Sequence, residues 1–355
     1  RLEVLLDIPV IPKNSGSDKA PLGTGVYAFE ENGDESYLRA AVSGSLNTSI
    51  QRIQLVNSPE TELLIYNFEE GSVAVVSNDP TASEPVVYGG DYEEWEYPTS
   101  SMVFLAFNTA KTPCDSVEIR RAIASAVDRE LICGRDMISR AVPSTLPLNP
   151  KSELFSKLGN VSGIGFSFEN AAAIFAELGL EDTDEDGILE SLAGRRRVPF
   201  EINFVVSATN SFKVAAARRI SEDLRTLGVS VNLRELTFEA YQKALETGDF
   251  DIYLGEIKLS ADFNIGALVS TGGALNYGKW SAEETDRMLA EYMAASVARL
   301  PSAASVLYNE LSKEVPIVPL LFKQGRILAR RGVVGGAAPV QSNIFENIEN
   351  WRGKG

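Results

Sequence analysis

The chain has 355 residues, 44% of them hydrophobic and 23% charged, with a formal net charge of −16. That length implies about two to three domains and a sizeable core, and the acidic balance excludes a partner that needs a basic surface, whether nucleic acid or an anionic membrane. There is no histidine, which removes Ser-His and Cys-His nucleophiles and every histidine-ligated metal; paired carboxylates or a lysine base are the chemistry left. No window approaches the ~18 uninterrupted apolar residues of a membrane span.

In chain order, Leu2–Val10 is apolar, Lys13–Lys19 is a polar loop and Gly23-Thr24-Gly25 is a tight turn. Val26–Phe29, Tyr37–Val42 and Ser49–Val56 read as strands. Ser58 with Glu62 offers the cap of a helix that Gly71 ends; Ser72–Ser77 is a further strand and Gly89–Pro98 an acidic, aromatic loop. Met102–Phe107 is strand-like. Asp115 or Ser116 then caps a helix in which Val117, Ile119, Ala122, Ile123, Ala126, Val127 and Leu131 recur at helical spacing. If that helix runs through Cys133, it holds Cys114 and Cys133 ~28 Å apart at ~1.5 Å per residue, beyond disulfide reach, so two unpaired thiols are expected. Ala141–Pro150 is punctuated by proline.

From Glu169 a helix runs to Leu178, stopped by Gly179, and the acidic loop Glu181–Glu190 follows. Phe200–Val206, Val231–Leu236 and Phe250–Glu256 then read as strands alternating with helices Lys213–Leu227 and Phe238–Thr247, the signature of βαβ units. Helices Ala282–Val297 and Pro301–Glu314 come next, with Pro301 suited to a first helical position. Strands Val315–Phe322 and Arg326–Val334 precede a tail ending at Trp351.

Three groups invite a chemical reading. Asp182, Asp184, Asp186 and Gly187 match the first half of a calcium loop, with Glu190 at position nine, but Ala193 stands where a bidentate Glu belongs. Asp side chains also build tight turns, and the turn is the preferred reading over a weak cation site. Arg120, Arg121, Asp128 and Arg129 have the spacing of surface ion pairs, worth little each. Arg195–Arg197 and Arg330–Arg331 read as solvated surface.

The run Met102–Pro150 combines a strand ending in Phe107-Asn108, a helix carrying Arg120-Arg121 and Asp128-Arg129, and a proline-rich loop. It resembles the family 5 extracellular solute-binding proteins, which deliver oligopeptides, dipeptides, nickel chelates and some sugars to ABC transporters. Gly248–Gly278 is a second similar block, Pro21–Gly33 a weaker third, and Asp79-Pro80-Thr81 resembles the DPT of Gram-positive relatives. The resemblance implies an α/β, two-lobed, type II periplasmic-binding-protein-like fold with mixed sheets and a hinge. Lobe I is expected at 1–104 with 325–355 returning to it, and lobe II at 105–324, with ligand held between them by closure. Pro21–Gly33 comes so early that the N-terminal portion of the family pattern is expected to be lacking.

The resemblance also supplies candidate ligand contacts. In peptide-binding members an Asp shortly after a strand here pairs with the ligand's α-ammonium group, a charge-assisted contact. Asp262 is the candidate, although an ungapped comparison puts Ser260 at that place and Ile257 near the usual Trp. Glu256 and Lys258, at the C-terminal end of a strand where open α/β sheets place ligands, either face a zwitterion or are solvated. Asn276 and Tyr277 belong to an NYG block, in which Tyr277 stacks on ligand or covers core. Trp95 and Tyr97 are expected to line the cleft from lobe I, and Asn108 to bond local backbone. No catalytic residue, metal ligand or cofactor is expected.

The reading is the extracellular substrate-binding component of an ABC importer for oligopeptides or related small zwitterionic solutes. The expected protein is a monomer, partnered by two transporter membrane subunits and not by nucleic acid. It is a surface lipoprotein whose lipid anchor is absent from this chain, or else periplasmic. The alternatives are the solute-sensor domain of a regulatory protein and a carboxylate-dependent glycoside hydrolase, for which Glu256 with Asp262 is the only pair to test at the required ~5–10 Å.

Overall fold

The computed structural model describes residues 26–40 and 48–353; Leu2–Val10 and the Gly23–Gly25 turn lie outside them. The chain divides into two compact units, one built on Ser100–Lys323 and the other on Leu6–Thr99 with Gln324–Gly355.

The smaller unit opens with an antiparallel meander of β1 (Tyr27–Asn32), β2 (Glu35–Ala40) and β3 (Arg52–Leu55), in register Phe29↔Leu38 and Leu38↔Ile53. Helix α1 (Thr61–Glu70) starts after Glu60, which makes no side-chain cap. The expected cap, Ser58, instead accepts a bond from Asn67 Nδ2 at 3.2 Å. Gly71 ends the helix at φ +91°, its N–H bonded to the Asn67 carbonyl, a conformation open to glycine at little cost. β4 (Val75–Asn78) follows. β5 (Tyr92–Phe107) then begins ten residues before the expected strand, so Trp95 and Tyr97 lie on a strand and not in a loop. The alternation is there in the residues: Glu94, Glu96 and Pro98 are exposed while Trp95 and Tyr97 turn inward, the two-residue period of a strand, masked by the acidic composition.

In the larger unit, Ser116 caps α2 (Val117–Ser125) by accepting the Ile119 N–H at 3.2 Å. The helix does not continue to Cys133. Asp128 accepts the Leu131 N–H at 2.9 Å and caps a new start, α3 (Arg129–Leu131), before a wide turn over Ile132–Asp136. A short acidic side chain competes well for a cap and poorly for a helix interior. Both cysteines are free and buried. β6 (Ala141–Pro143), α4 (Glu153–Ser156) and α5 (Phe168–Glu177) follow, the last capped by Ser167. An exposed hairpin of β7 (Glu190–Ala193) and β8 (Arg196–Pro199) was not expected; its four-residue strands leave Leu192 and Val198 outward, without the usual inward alternation.

The βαβ reading holds within two residues at each strand end: β9 (Glu201–Ser207), α6 (Ser211–Thr226), β10 (Ser230–Leu236), α7 (Phe238–Thr247) and β11 (Ile252–Lys258). β9 runs parallel to β10 and β11, and β11 runs antiparallel to β5, pairing Ile252↔Phe107 through Lys258↔Ser101. Then come α8 (Gly266–Val269), α9 (Glu283–Ala294), α10 (Leu300–Glu314) and β12 (Ile317–Arg330). β12 is one strand where two were expected, because Lys323 and Gln324 stay buried within it. Each face of the sheet has its own core. Ile252 and Leu254 pack with Ile123, Ile220 and Leu224, whereas Tyr253 and Leu259 pack with Tyr241, Tyr292 and Leu307.

Arg120 and Arg129 are not surface ion pairs: they are 2% and 6% exposed. Arg120 donates to the carbonyls of Cys114, Asp115, Glu314 and Val315 at 2.6–3.0 Å. It thereby satisfies the end of α10, where carbonyls have no partner within the helix. Arg129 Nε donates to the Pro319 carbonyl at 2.8 Å.

β12 runs on into the smaller unit and pairs there with β4, Arg326↔Asn78 to Ala329↔Val75. β13 (Val334–Gly335) and β14 (Arg352–Gly353) close the chain as a short antiparallel pair. Tyr97, Ile327, Val334, Ile348 and Trp351 form the core here. Gly325 admits the Tyr97 ring: a Cβ there would stand 2.3 Å from it.

Candidate functional site

β11 organises most of the candidate residues. Its alternation sends Ile252 and Leu254 into one core and Tyr253, Ile257 and Leu259 into the other, so Glu256 and Lys258 project on the Ile252 face, past the end of that core. The Glu256 side chain is 24% exposed and stands between two lysines, with Lys213 Nζ at 3.0 Å and Lys323 Nζ at 3.2 Å. Lys213 lies in the first turn of α6 and Lys323 within β12. Neither lysine was singled out from sequence. A lysine inside the apolar run of β12 was a usable signal; Lys213 had none. Lys258 is exposed.

The other candidates follow on the opposite face. Asp262 is 2% exposed. Its Oδ1 accepts from Ser260 Oγ at 2.5 Å, and its carbonyl accepts from the buried Tyr292 hydroxyl of α9. Asn276 is committed to its own loop: its Nδ2 donates to the carbonyls of Ser270 (2.9 Å) and Trp280 (2.7 Å), and its Oδ1 accepts the Trp280 N–H at 3.0 Å. That closure holds Tyr277 edge-on to Tyr253, ring centroids 6.3 Å apart, half-buried against the core. Asn108 bonds the carbonyls of Gly248 (3.1 Å) and Phe250 (3.2 Å). The structure therefore brings Asp262 and Tyr277 to one side of β11 and Glu256 with Lys258 to the other.

In the smaller unit, Trp95 is half-buried and Tyr97 is buried against its core. An open cavity of about 870 Å³ is bounded by Glu94, Trp95 and Glu96 on β5 and by Ala337–Val340, Glu346 and Asn347. Trp95 thus reaches a concave surface, whereas Tyr97 fills the space left by Gly325.

The acidic loop is a self-satisfied turn. Asp182, Asp184, Asp186 and Glu190 place carboxylate oxygens within 4.8 Å of one another. The Asp182 carboxylate accepts the N–H groups of Asp186 (3.2 Å) and Gly187 (2.9 Å), and Asp186 accepts that of Ile188 (2.8 Å). The Thr183 hydroxyl and N–H hold the Glu190 carboxyl below the usual carboxylate range. Desolvation and the neighbouring Asp186 raise Asp184.

A family model described as bacterial extracellular solute-binding proteins, family 5 Middle, matches residues 3–271. The chain belongs to the family 5 solute-binding proteins. Among its family 5 relatives, the oligopeptide-binding protein AppA of Bacillus subtilis is 19% identical over 98% of this chain and 65% of its own length. The heme-binding protein A of Haemophilus influenzae is 22% identical over 65% of this chain and 41% of its own. The chain thus spans less than two thirds of the length of either. The structure of AppA in complex with a nonapeptide superposes with a TM-score of 0.63 at 19% identity, covering 96% of this chain and 68% of AppA. The substrate-binding protein CtaP of Listeria monocytogenes gives 0.71 at 17% identity, covering 100% and 71%. The family 5 chain accordingly has the type II periplasmic-binding-protein fold.

Proposed function

We propose that this chain is the ligand-binding part of an ABC importer's substrate-binding protein and that its ligand is an oligopeptide or a related small zwitterion. Family membership supports the importer role, and AppA, a relative along nearly all of this chain, is named for binding oligopeptides. The observation that carries the peptide reading is Asp262, a residue 2% exposed whose carboxylate accepts from Ser260 and whose backbone carbonyl is held by Tyr292. A fixed, desolvated carboxylate suits a single ammonium group, because the charge-assisted bond is strong where water is excluded. A histidine-free chain offers no imidazole to haem iron or to a nickel complex, which favours peptides over those cargoes.

The protein acts by binding and not by turnover. Glu256 is held between two lysines on one face of β11, while Asp262 is tied to Tyr292 on the other, an arrangement that disfavours a hydrolytic carboxylate pair facing one bond. Two membrane subunits of a transporter are its partners, and it works as a monomer outside the cytoplasm, lipid-anchored or periplasmic. Thermal-shift titrations with separate pools of peptides, nickel chelates, haem and oligosaccharides test the reading. Ligand at ~100 times its dissociation constant stabilises by about 2.7 kcal/mol, a readable shift. Peptides alone should produce it; a shift only with haem, chelate or sugar would overturn the peptide assignment.

A further inference from the structure

Two sheet edges in the smaller unit stand without a partner strand among the described residues. β3 is last in the three-stranded meander and β4 is last in the large sheet. The Ala40 N–H donates to the Gln51 carbonyl at 2.9 Å. In the register of β2 with β3, every second residue counted from Gln51 therefore turns its backbone to β2, and Arg52 and Gln54 direct their N–H and C=O groups outward. On the other edge the Arg330 N–H donates to the Ala74 carbonyl at 3.1 Å. The same alternation leaves Val75 and Ser77 directed away from β12. Among the described residues, none of these four outward backbones meets another backbone.

All four residues line one open cavity of about 680 Å³, which takes in the whole of 49–56 and of 72–77. Apolar side chains flank both edges. Ile53 and Val75 pack against the core of Trp351, and Val76 packs with Phe68 and Leu64. Unpaired backbone beside apolar surface is costly, and donors and acceptors that recur at every second residue match the backbone of another strand. A strand covered on both faces is apolar on both.

We propose that β3 and β4 together accept one inserted strand, apolar on both faces, which joins the meander to the large sheet. The strand comes from the part of the family's length that this chain does not span; AppA carries such a part, since this chain covers 65% of it. The proposal rests on family membership and not on the identity of the cargo.

Amide hydrogen exchange reads the two edges residue by residue. In the 355-residue chain alone, Arg52, Gln54, Val75 and Ser77 should exchange fast while Ile53, Val76 and Asn78 are protected. The probe is the part of Bacillus subtilis AppA outside the matched region, produced as a separate polypeptide and added in excess. The expected result is saturable protection of all four amides by at least ~10-fold. In Ser77→Pro the other three should lose that protection, although an edge position with an outward N–H tolerates proline and keeps its pairing with β12. Should Ser77→Pro fail to fold, Gln54→Pro makes the same test on β3. Exchange unchanged by the AppA polypeptide, or protection that persists in the proline variant, would overturn the proposal. So would four amides already protected in the chain alone, which would give the edges to its own residues or, if protection grows with concentration, to a second copy. Equal protection by a pool of oligopeptides would give them to cargo and overturn it as well.

Discussion

Arg120 and Val315 stand 195 residues apart, yet Arg120 Nε donates to the Val315 carbonyl at 3.0 Å, at the left-handed residue (φ 49°) that ends α10. The same guanidinium takes the Glu314 carbonyl at 2.6 Å and, on its own side, those of Cys114 and Asp115. A buried fork thus joins the start of α2 to the end of α10. Arg120→Met should lower stability by about 3 kcal/mol or more, because several buried carbonyls lose a charged donor at once. Arg120→Lys should recover only part, since an ammonium lacks the fork. Arg121, which bonds the Lys313 carbonyl in an exposed position, should cost less than about 1 kcal/mol when replaced by Met. Urea midpoints of the three variants would show the ranking; equal losses for Arg120→Met and Arg121→Met would refute it.

Glu256→Gln removes the carboxylate shared by Lys213 and Lys323, the latter with a side chain 7% exposed. Partial exposure of the Glu256 side chain softens the penalty, so a loss of about 1–2 kcal/mol is expected. High salt should narrow the gap between variant and parent. An unchanged unfolding midpoint at low salt would remove the proposed coupling of β11, α6 and β12 through these charges.

The thiols should be inert in the folded protein. Burial raises Cys114 and pushes Cys133 up to about 12, and the thiolate is the reactive form. Neither should react with a disulfide reagent near pH 8 until the chain is unfolded, when both should. The same shift sets an alkaline limit. The folded value lies above the ordinary value of 9.0, so the stability held by the protonated thiol is intact below about pH 9 and declines as pH rises from there toward 12. Rapid labelling of either cysteine under native conditions would contradict this account.

The parts of the fold legible in the sequence share one property: their signals are local. β9 through β11 show apolar runs alternating with amphipathic helices, and α7 has the bounds expected from sequence, with Thr237 capping its start and Gly248 its end. What was not legible depends on partners far along the chain. Arg120 and Arg129 have the helical spacing of surface charges, and the carbonyls some 190 residues away that each of them also bonds leave no mark near them in the sequence. The break at Asp128 was available as a cap residue but was outweighed by apolar periodicity on both sides. For the candidate site, Asp262 was visible through resemblance alone; its burial and the hold of Tyr292, thirty residues later, carry no local mark. Asn276 shows the reverse, a residue expected to meet ligand whose amide is taken up by its own loop.

The central claim is that a free α-ammonium group is recognised at Asp262. Calorimetric titration of the protein with one oligopeptide and with its N-acetylated form, each repeated on Asp262→Asn, tests it most directly. The account predicts saturable binding of the free-amine peptide, with affinity reduced at least ~100-fold by acetylation and by the substitution, the scale of losing a desolvated charged partner. Comparable affinity for both peptides, or undiminished binding by Asp262→Asn, would contradict it.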